Sequence, residues 1–460
     1  MTGGSRRGAI LVGLGALLVA TAARAQEPPV VPAAPLPPPD QSSPGTPDPE
    51  DLVDAGNDSP GYTPPAPAPA ESALHIDGYV DVGFAKAQGN GTSFPRQDSA
   101  VPADYGVDTF APAVNSRGDV ASTDPGDGRF LNGFLPRSAG IGGNASFLLN
   151  TLDLDLRYQR PGAPLMIFSR VQFLPRLSPS GDAGRFLVEQ AFGRLMPFDT
   201  QELAISVGKF DSVFGIEYLD NQAPIRTGVT PSLAARYTTG QSIGAKIFYR
   251  LQLGAIGSAV SLNAAATNSG NMVESLQAPD ASVAGGPVVS ARLGYELNLR
   301  PFQLKLGGSA LHGPRNDQRD RKAMQRMEGG DLRLYVAGVA LTGEYVRVDE
   351  DEGTGPKLTN LGTFPLASGF HARALWGQLA YALSIDSASL QKVTPYVRYE
   401  WRHAWFDGFV PITVDRLVGG LRLDLWDVLS IKGEVLINRE RAGAPNVPNN
   451  VYTSSVVYQW

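Results

Sequence analysis

The sequence predicts an all-β fold, a transmembrane antiparallel β-barrel of about sixteen strands, with about fourteen or eighteen as the alternatives. Three observations predict this class. Short segments alternate large apolar with charged side chains from residue 74 to residue 460. The connections between these segments are alternately short and long, and the chain ends on an aromatic segment, Val451 to Trp460.

The N-terminus predicts export and a linker ahead of the barrel. Arg6 and Arg7 precede a short apolar stretch, and Ala23-Arg24-Ala25 fits a cleavage site, so residues 1–25 are predicted to be a signal peptide. A membrane anchor is the weaker alternative, because a spanning helix needs roughly 20 apolar residues. Residues 26–72 are rich in Pro and Ala and predict a disordered periplasmic linker, with a contact to cell wall as the alternative. Residues 73–460 are then predicted to form the outer-membrane barrel.

Alternation begins at Leu74. Ile76 and Val80 share one face of this segment, and Asp77 and Asp81 share the other. Because a carboxylate that faces a dry core is costly, the charged face must be wet. The pattern recurs at residues 152–157, 203–208, 243–250, 292–299, 397–402 and 421–425. An apolar face toward lipid and a charged face toward water are typical of a membrane barrel.

The connections support the same class, because outer-membrane barrels have short turns at one end and longer loops at the other. Short turns are predicted near residues 161–164, 197–201, 254–258, 300–301, 337–338, 386–389 and 426–427. Longer polar loops are predicted near residues 88–136, 176–184, 211–237, 268–286, 312–330, 350–369, 403–411 and 439–449. Residues 332–348 fit least well, because Glu344 falls on the apolar face unless a β-bulge intervenes.

The last segment resembles the C-terminal signal by which outer-membrane barrels are recognised for assembly. Its apolar face consists of Tyr452, Val456, Tyr458 and Trp460. The resemblance implies that the barrel-assembly machinery and outer-membrane lipid are partners of this chain.

Residues 208–217, with the sequence Gly-Lys-Phe-Asp-Ser-Val-Phe-Gly-Ile-Glu, resemble the strand-end motif of Gram-negative porins. In pattern the chain is similar to phosphate-selective and OmpL-like β-barrel porins over residues 74–460. The resemblance implies a channel in the bacterial outer membrane for passive diffusion of small hydrophilic solutes or ions, and a homotrimer. The phosphate-selective type implies a lumen rich in Arg and Lys, whereas here the lumen-facing Asp and Glu nearly match the Arg and Lys.

The resemblance also implies that the third outer loop, residues 211–237, folds inward and narrows the channel. Its length of about 27 residues exceeds what a surface hairpin needs. Opposed charges would then set a field across the constriction, formed by Asp211, Glu217, Asp220, Arg226, Arg236, Lys246 and Arg250. Six basic residues of the lumen wall predict a weak anion preference: Arg170, Arg292, Lys305, Arg333, Arg398 and Lys432. An external loop with solvated charges is the alternative.

Other function classes find little support. The chain has no Cys, which excludes thiolate chemistry, and its net charge of −6 argues against nucleic acid as a partner. Gly240-Gln241-Ser242-Ile243-Gly244 matches a nucleophile motif but lacks the strand–turn–helix that this motif requires. The histidines, His75, His312, His371 and His403, have no metal-binding spacing. No cofactor, metal or catalytic residue is therefore predicted, and a barrel that serves as a surface enzyme or adhesion scaffold is the alternative to a porin.

Overall fold

The structure is a computed structural model. It describes residues 73–87, 145–160, 162–174, 185–198, 202–254, 257–268, 287–299, 301–314, 324–351, 356–359, 362–365, 369–406, 411–441 and 450–460. The predicted signal peptide and Pro-rich linker lie outside these residues. No helix in the described ranges is both long and apolar enough to cross a membrane.

Sixteen antiparallel strands form one closed barrel, which confirms the predicted fold class. Each strand pairs with the next along the chain, and the last strand pairs with the first. The strands are β1 Leu74–Ala87, β2 Ala145–Gln159, β3 Leu165–Leu174, β4 Arg185–Leu195, β5 Leu203–Asp211, β6 Gln241–Gln252, β7 Ser258–Thr267, β8 Val288–Leu299, β9 Phe302–Pro314, β10 Met324–Val336, β11 Val339–Glu350, β12 Phe370–Tyr381, β13 Leu390–Phe406, β14 Ile412–Leu425, β15 Leu429–Glu440 and β16 Val451–Gln459. A two-residue segment, Leu383–Ser384, continues β12 along β13.

The two faces of the barrel follow the sequence alternation. Ile76 and Val207 are 54% and 60% exposed, respectively, because they point away from the barrel axis. Asp81 and Asp153 on the inward face are almost completely buried. A soluble core would reverse this arrangement, whereas lipid is a suitable surrounding for the outward apolar side chains.

Two short turns explain how neighbouring strands reverse direction. Ala337 and Gly338 join β10 to β11, and both have positive φ, at 48° and 84°. This is the geometry of a two-residue hairpin whose twist matches that of the strands. Trp426 and Asp427 join β14 to β15 in the same left-handed region. The predicted turns at residues 337–338 and 426–427 are therefore confirmed.

Two of the predicted long loops are shorter than expected. The loop predicted at residues 312–330 is wrong at both ends, since β9 continues to Pro314 and β10 begins at Met324. The loop predicted at 403–411 is wrong at its start, since β13 continues to Phe406. The physical reason is that polar residues, among them Glu328 and His403, occupy the outward face near these strand ends, where the alternation rule assumes apolar ones. The connection between β11 and β12 carries a small hairpin of its own, Pro356–Thr359 with Gly362–Pro365.

The expected bulge near Glu344 is also absent. The β10–β11 register runs without a shift, and Glu344 points into the barrel with 2% of its surface exposed. Val346 and Val348 share the inward face and are fully buried, whereas Arg347 points outward. The alternation is thus regular, but part of the lumen is apolar at this position.

Candidate channel constriction

The connection between β5 and β6, residues 212–240, lies inside the barrel and is called the inner loop below. It contains a short 3-10 helix, Glu217–Asp220, and a single α-helical turn, Ala235–Thr238. A hydrogen bond from the Ser212 N–H to the Gly240 carbonyl, 2.9 Å long, closes its base. Most of its described side chains are buried, because it contacts strands on several sides of the lumen.

The first part of the inner loop is bound to β9, β10 and β11. The N–H of Gly215 donates to Ser309 Oγ at 3.0 Å, and the N–H of Ile216 donates to Glu344 Oε1 at 3.1 Å. Arg333 donates to the Ile216 carbonyl at 3.2 Å. These contacts satisfy backbone groups that would be costly to bury without a partner.

The middle of the inner loop is bound to β13 and β15, which lie across the lumen from the base of the loop at β5 and β6. Glu434 accepts from the N–H and the hydroxyl of Thr230, at 2.9 and 2.7 Å. Arg398 donates to the same hydroxyl at 3.0 Å, and Glu400 accepts from the Leu233 N–H at 2.7 Å. Charge-assisted hydrogen bonds of this kind are roughly twice as strong as neutral ones.

Two basic residues hold the turn that precedes Thr230. Lys432 donates to the carbonyls of Ala223, Arg226 and Gly228. Arg422 on β14 donates to the Arg226 carbonyl at 3.1 Å. Their charge therefore serves to fix the loop backbone, in addition to its effect on the electrostatics of the lumen.

Apolar side chains from the inner loop and the wall form a buried cluster on the β8–β14 side. The loop contributes Phe214, Leu233, Ala234 and Tyr237, and the wall contributes Val288, Leu311, Met327, Val346, Val348, Phe370, Ala372, Ala374, Trp376, Ala404 and Val414. Each large side chain buried in this way contributes roughly 1.5–3 kcal/mol. This cluster explains why Val346 and Val348 point inward, and it fills part of the lumen.

Open space remains on two sides of the inner loop. One small pocket lies between the 3-10 helix and the β7–β10 wall, and its charged lining residues are Arg292, Glu296, Lys305, Asp331 and Arg333. A second small pocket lies beside the β1–β4 wall, lined by Tyr79, Thr151, Asp153, Gln172, Glu189, Asn221, Gln222, Ala223 and Arg226. The lining of the first is mixed, and polar groups predominate in the second.

The predicted acidic constriction residues meet partners that differ from those expected. Asp211 accepts from Gln190 at 2.6 Å and from Gln241 at 3.1 Å. Glu217 accepts from the Ser232 N–H at 2.6 Å, and Asp220 accepts from Arg333 at 2.9 Å. Asp220 thus forms a direct ion pair with Arg333 of the predicted basic wall, and Arg170 and Arg398 of the same wall attract Asp211 and Glu217, respectively.

The predicted basic constriction residues are also distributed differently from the expectation. Arg226 donates to the carbonyls of Asn221 and Val229, at 3.1 and 3.0 Å. Lys246 lies over the ring of Phe210 at 4.9 Å from its centroid, and Arg250 donates to Glu296 at 2.7 Å. The side chain of Arg236 lies outside the described residues. Within the predicted constriction set, the positive charge of Lys246 attracts the carboxylate of Asp211.

The six predicted wall residues all face the lumen, and most of their charge is compensated. Arg170 pairs with Asp155 at 2.6 Å, Arg292 with Asp331 at 2.6 Å, Lys305 with Glu296 at 3.8 Å, Arg333 with Asp220 at 2.9 Å, and Arg398 with Glu400 at 2.7 Å. Lys432 is satisfied by loop carbonyls instead. The positive surplus assumed in the sequence prediction is therefore small.

The sequence reasoning missed the inward carboxylates that bind the inner loop, Glu344, Glu400 and Glu434. Alternation places Glu400 on the charged face with Arg398 and Arg402, but it predicts the apolar face for Glu344. The contacts of these carboxylates with the loop could not be predicted, because the partners are 128 to 204 residues apart in the chain.

Burial perturbs two titratable groups of the inner loop. It raises the pKa of Glu217 from 4.5 to about 7, although hydrogen bonds from Ser232 oppose the shift. Burial also lowers the pKa of Arg226, against the attraction of Asp81. Glu217 is thus a group whose charge changes close to neutral pH.

The predicted assembly residues lie on the outward face of β16 and just after it. Tyr452, Val456, Tyr458 and Trp460 are each 42% to 60% exposed. The N–H of Trp460 donates to the Gly78 carbonyl of β1 at 3.0 Å, at the seam where the barrel closes.

Neither a metal site nor a nucleophile elbow is found in the described part of the chain. No group of three His, Asp or Glu side chains there is arranged to hold a metal ion. Ser242 lies at the start of β6, which continues as a strand to Gln252.

Comparison with known protein families finds no match, and no curated relative matches either. Among solved structures, the outer membrane channel DcaP of Acinetobacter baumannii aligns with a TM-score of 0.51 and 9% identity, over 84% of this chain and 97% of that one. An anion-selective porin from Comamonas acidovorans aligns with a TM-score of 0.46 and 11% identity, over 85% of this chain and 100% of that one. OmpT, an outer membrane protein of Vibrio cholerae, aligns with a TM-score of 0.44 and 12% identity, over 85% of this chain and 99% of that one. The likeness to DcaP shows the fold alone, a closed antiparallel β-barrel, and it does not single out the phosphate-selective or OmpL-like type.

Proposed function

We propose that the chain forms a water-filled channel in the bacterial outer membrane, through which small hydrophilic solutes or ions diffuse passively. The observation that carries this proposal is a closed barrel with a charged inner face and an inner loop bound across its lumen. Solutes pass beside the loop, through the spaces next to the β1–β4 and β7–β10 walls, since the β8–β14 side is packed with apolar side chains.

The finer part of the proposal is a weak anion preference. Arg226 and Lys432 are satisfied by backbone carbonyls, so their positive charge is not cancelled by a carboxylate contact. The other wall cations are paired, which keeps the preference weak, because paired charges give only modest selectivity to a pore. In this proposal the chain is exported by residues 1–25, carries residues 26–72 as a periplasmic linker, is inserted by the assembly machinery through β16, and forms a homotrimer.

Conductance of the purified protein in planar bilayers tests the proposal. Stepwise conductance increases are expected as single channels insert, and in a salt gradient the reversal potential should show a slight preference for anions. Replacing Arg226 and Arg236 together with Gln should shift that potential toward cations. A barrel that inserts in its folded form and gives no conductance steps would favour the alternative, a scaffold for a surface enzyme or an adhesin.

A further inference from the structure

Three basic side chains lie side by side on the outward face of the barrel, at the strand ends that carry the longer connections. In the strand register Arg347 of β11 is directly opposite Arg373 of β12, and Arg373 is directly opposite His403 of β13. These three residues are called the basic row below. Arg373 is exposed, and 45% of the Arg347 side chain is exposed. Like charges placed directly opposite each other on a sheet are destabilising, so this arrangement calls for a counter-charge.

The basic row lies where the apolar band of the barrel ends. The neighbouring row toward the middle of the strands consists of Tyr345, Leu375 and Trp401, in the same register. Leu375 is 43% exposed and Tyr345 is 39% exposed, so this neighbouring row faces lipid. Aromatic residues bound the apolar band of membrane barrels at both interfaces, and charges become tolerable there. The basic row is therefore at the level of lipid headgroups.

Stacked side chains hold the basic row in place. The rings of His371 and Trp405 stack with centroids 5.0 Å apart, and the Arg373 guanidinium carbon lies 5.7 Å from the centroid of Trp405. His403 Nδ1 lies 2.7 Å from Thr413 Oγ1. Arg373 and His403 are therefore each in contact with a neighbouring side chain, which reduces the entropic cost of binding.

The charges around the basic row leave a positive surplus at Arg373. Arg347 donates to Asp349 at 2.6 Å, Asp349 is also 2.8 Å from His371, and the exposed Glu328 of β10 is directly opposite Arg347 in the strand register. Within the part of the chain that the structure describes, no carboxylate forms an ion pair with Arg373. An anion that approaches from the membrane would reach Arg373 first and Arg347 next to it.

We infer that the basic row binds the phosphate group of an anionic membrane lipid. Two neighbouring guanidinium groups suit a phosphate, because each presents a planar fork of N–H donors. The acyl chains of such a lipid would lie along Tyr345, Leu375 and Leu379, which is 49% exposed. Arg347 already has Asp349 as a partner, so the headgroup would supply the counter-charge that Arg373 lacks, with Arg347 as a second donor.

Native mass spectrometry of the intact protein tests this inference. The protein is purified in a mild detergent and offered equal amounts of phosphatidylglycerol and phosphatidylcholine. The wild type should retain phosphatidylglycerol in preference to phosphatidylcholine, and the Arg347→Gln/Arg373→Gln variant should lose that preference. Arg347→Lys/Arg373→Lys should keep part of it. Arg439→Gln is the matched control, since Arg439 is an exposed, outward residue of β15 near the same barrel end.

Three outcomes would overturn the inference. The first is equal retention of both lipids by the wild type, or an unchanged preference in the Gln variant. The second is displacement of the lipid by inorganic phosphate at a comparable concentration, which would indicate a site for soluble anions. The third is a change of oligomeric state in the Gln variant with lipid retention unaffected, which would make this face an interface between copies. If the double variant does not fold, Arg373→Gln alone and the Lys pair decide the question.

Discussion

Gly215 shows how closely the inner loop approaches the barrel wall. Its φ is +75°, a conformation that side chains with a Cβ rarely adopt, and a Cβ placed there would lie 1.7 Å from Glu344 Oε1. Glu344 is held at this position because it accepts from the N–H of Ile216 and from the indole of Trp376. A side chain at residue 215 must therefore displace either the loop or the carboxylate.

We expect Gly215→Ala to weaken the attachment of the inner loop to β11. The cost should be about 1–3 kcal/mol, the usual range for a residue forced into a sparsely populated backbone region. Urea unfolding of the protein in lipid vesicles measures this change in the free energy of unfolding. Gly193→Ala is the control, because a Cβ at residue 193 would have no neighbour within 4 Å and the φ of Gly193 is not positive. Equal effects of the two substitutions would contradict the tight approach seen here.

Gly78 has a comparable role at the barrel seam. A Cβ at residue 78 would lie 2.5 Å from the Asp153 carbonyl oxygen and 2.5 Å from Trp460 Cζ2. We expect Gly78→Val to lower the yield of folded barrel, because the β1–β16 pairing must open to make room. Gly433→Val, at a position with free space, is the control. The fraction of protein that migrates as the folded form on an unheated gel measures the yield, and equal yields from the two variants would count against this explanation.

At the scale of elements, the inner loop is the segment whose stability depends on pH. Glu217 is buried and accepts two hydrogen bonds from Ser232, while Arg398 attracts its charge and Glu400 repels it. Its pKa is about 7 in the folded protein against an ordinary 4.5. The folded state therefore binds a proton between these two pH values that the unfolded state does not bind.

The sign of the pH effect follows from this difference. A carboxyl whose pKa is raised by folding favours the folded state at low pH, so stability should fall as the pH rises from 4.5 through 7. The slope is at most about 1.4 kcal/mol per pH unit. Urea unfolding at a series of pH values checks this, and Glu217→Gln should flatten the profile in that window. A profile identical in the wild type and the variant would show that Glu217 does not titrate there.

Sequence reasoning succeeded for the strands and failed for the contacts of the loop, for physical reasons. Alternation in segments such as β1 and β13 reveals which residues face lipid, because that choice is local and repeats every second residue. The attachment of Thr230 to Glu434 joins residues 204 positions apart, and no local pattern encodes it. The inward orientation of Val346 and Val348 could not be predicted for the same reason, because the apolar side chains that cover them come from the inner loop, which is distant in the sequence.

At the scale of the whole molecule, the barrel and the inner loop depend on each other. The wall supplies Glu344, Arg398, Lys432 and Glu434 to the loop, and the loop supplies the apolar side chains that cover the inward valines. In the proposed function, the passage for solutes is the space that this packing leaves open. We therefore propose that the attachment of the loop to the far wall sets the width of the channel.

Single-channel conductance of the Arg398→Met/Lys432→Met variant is the most direct test of this dependence. Both substitutions remove donors to inner-loop carbonyls or hydroxyls and leave the outward face of the barrel unchanged. Lys209→Met is the control, because Lys209 lies on the outward face of β5, where it donates to the Val188 carbonyl. We expect the double variant to conduct well above the wild type, with larger fluctuations of the open current, while the control stays close to the wild type. A folded double variant whose conductance equals that of the wild type would show that the loop attachment does not set the channel width.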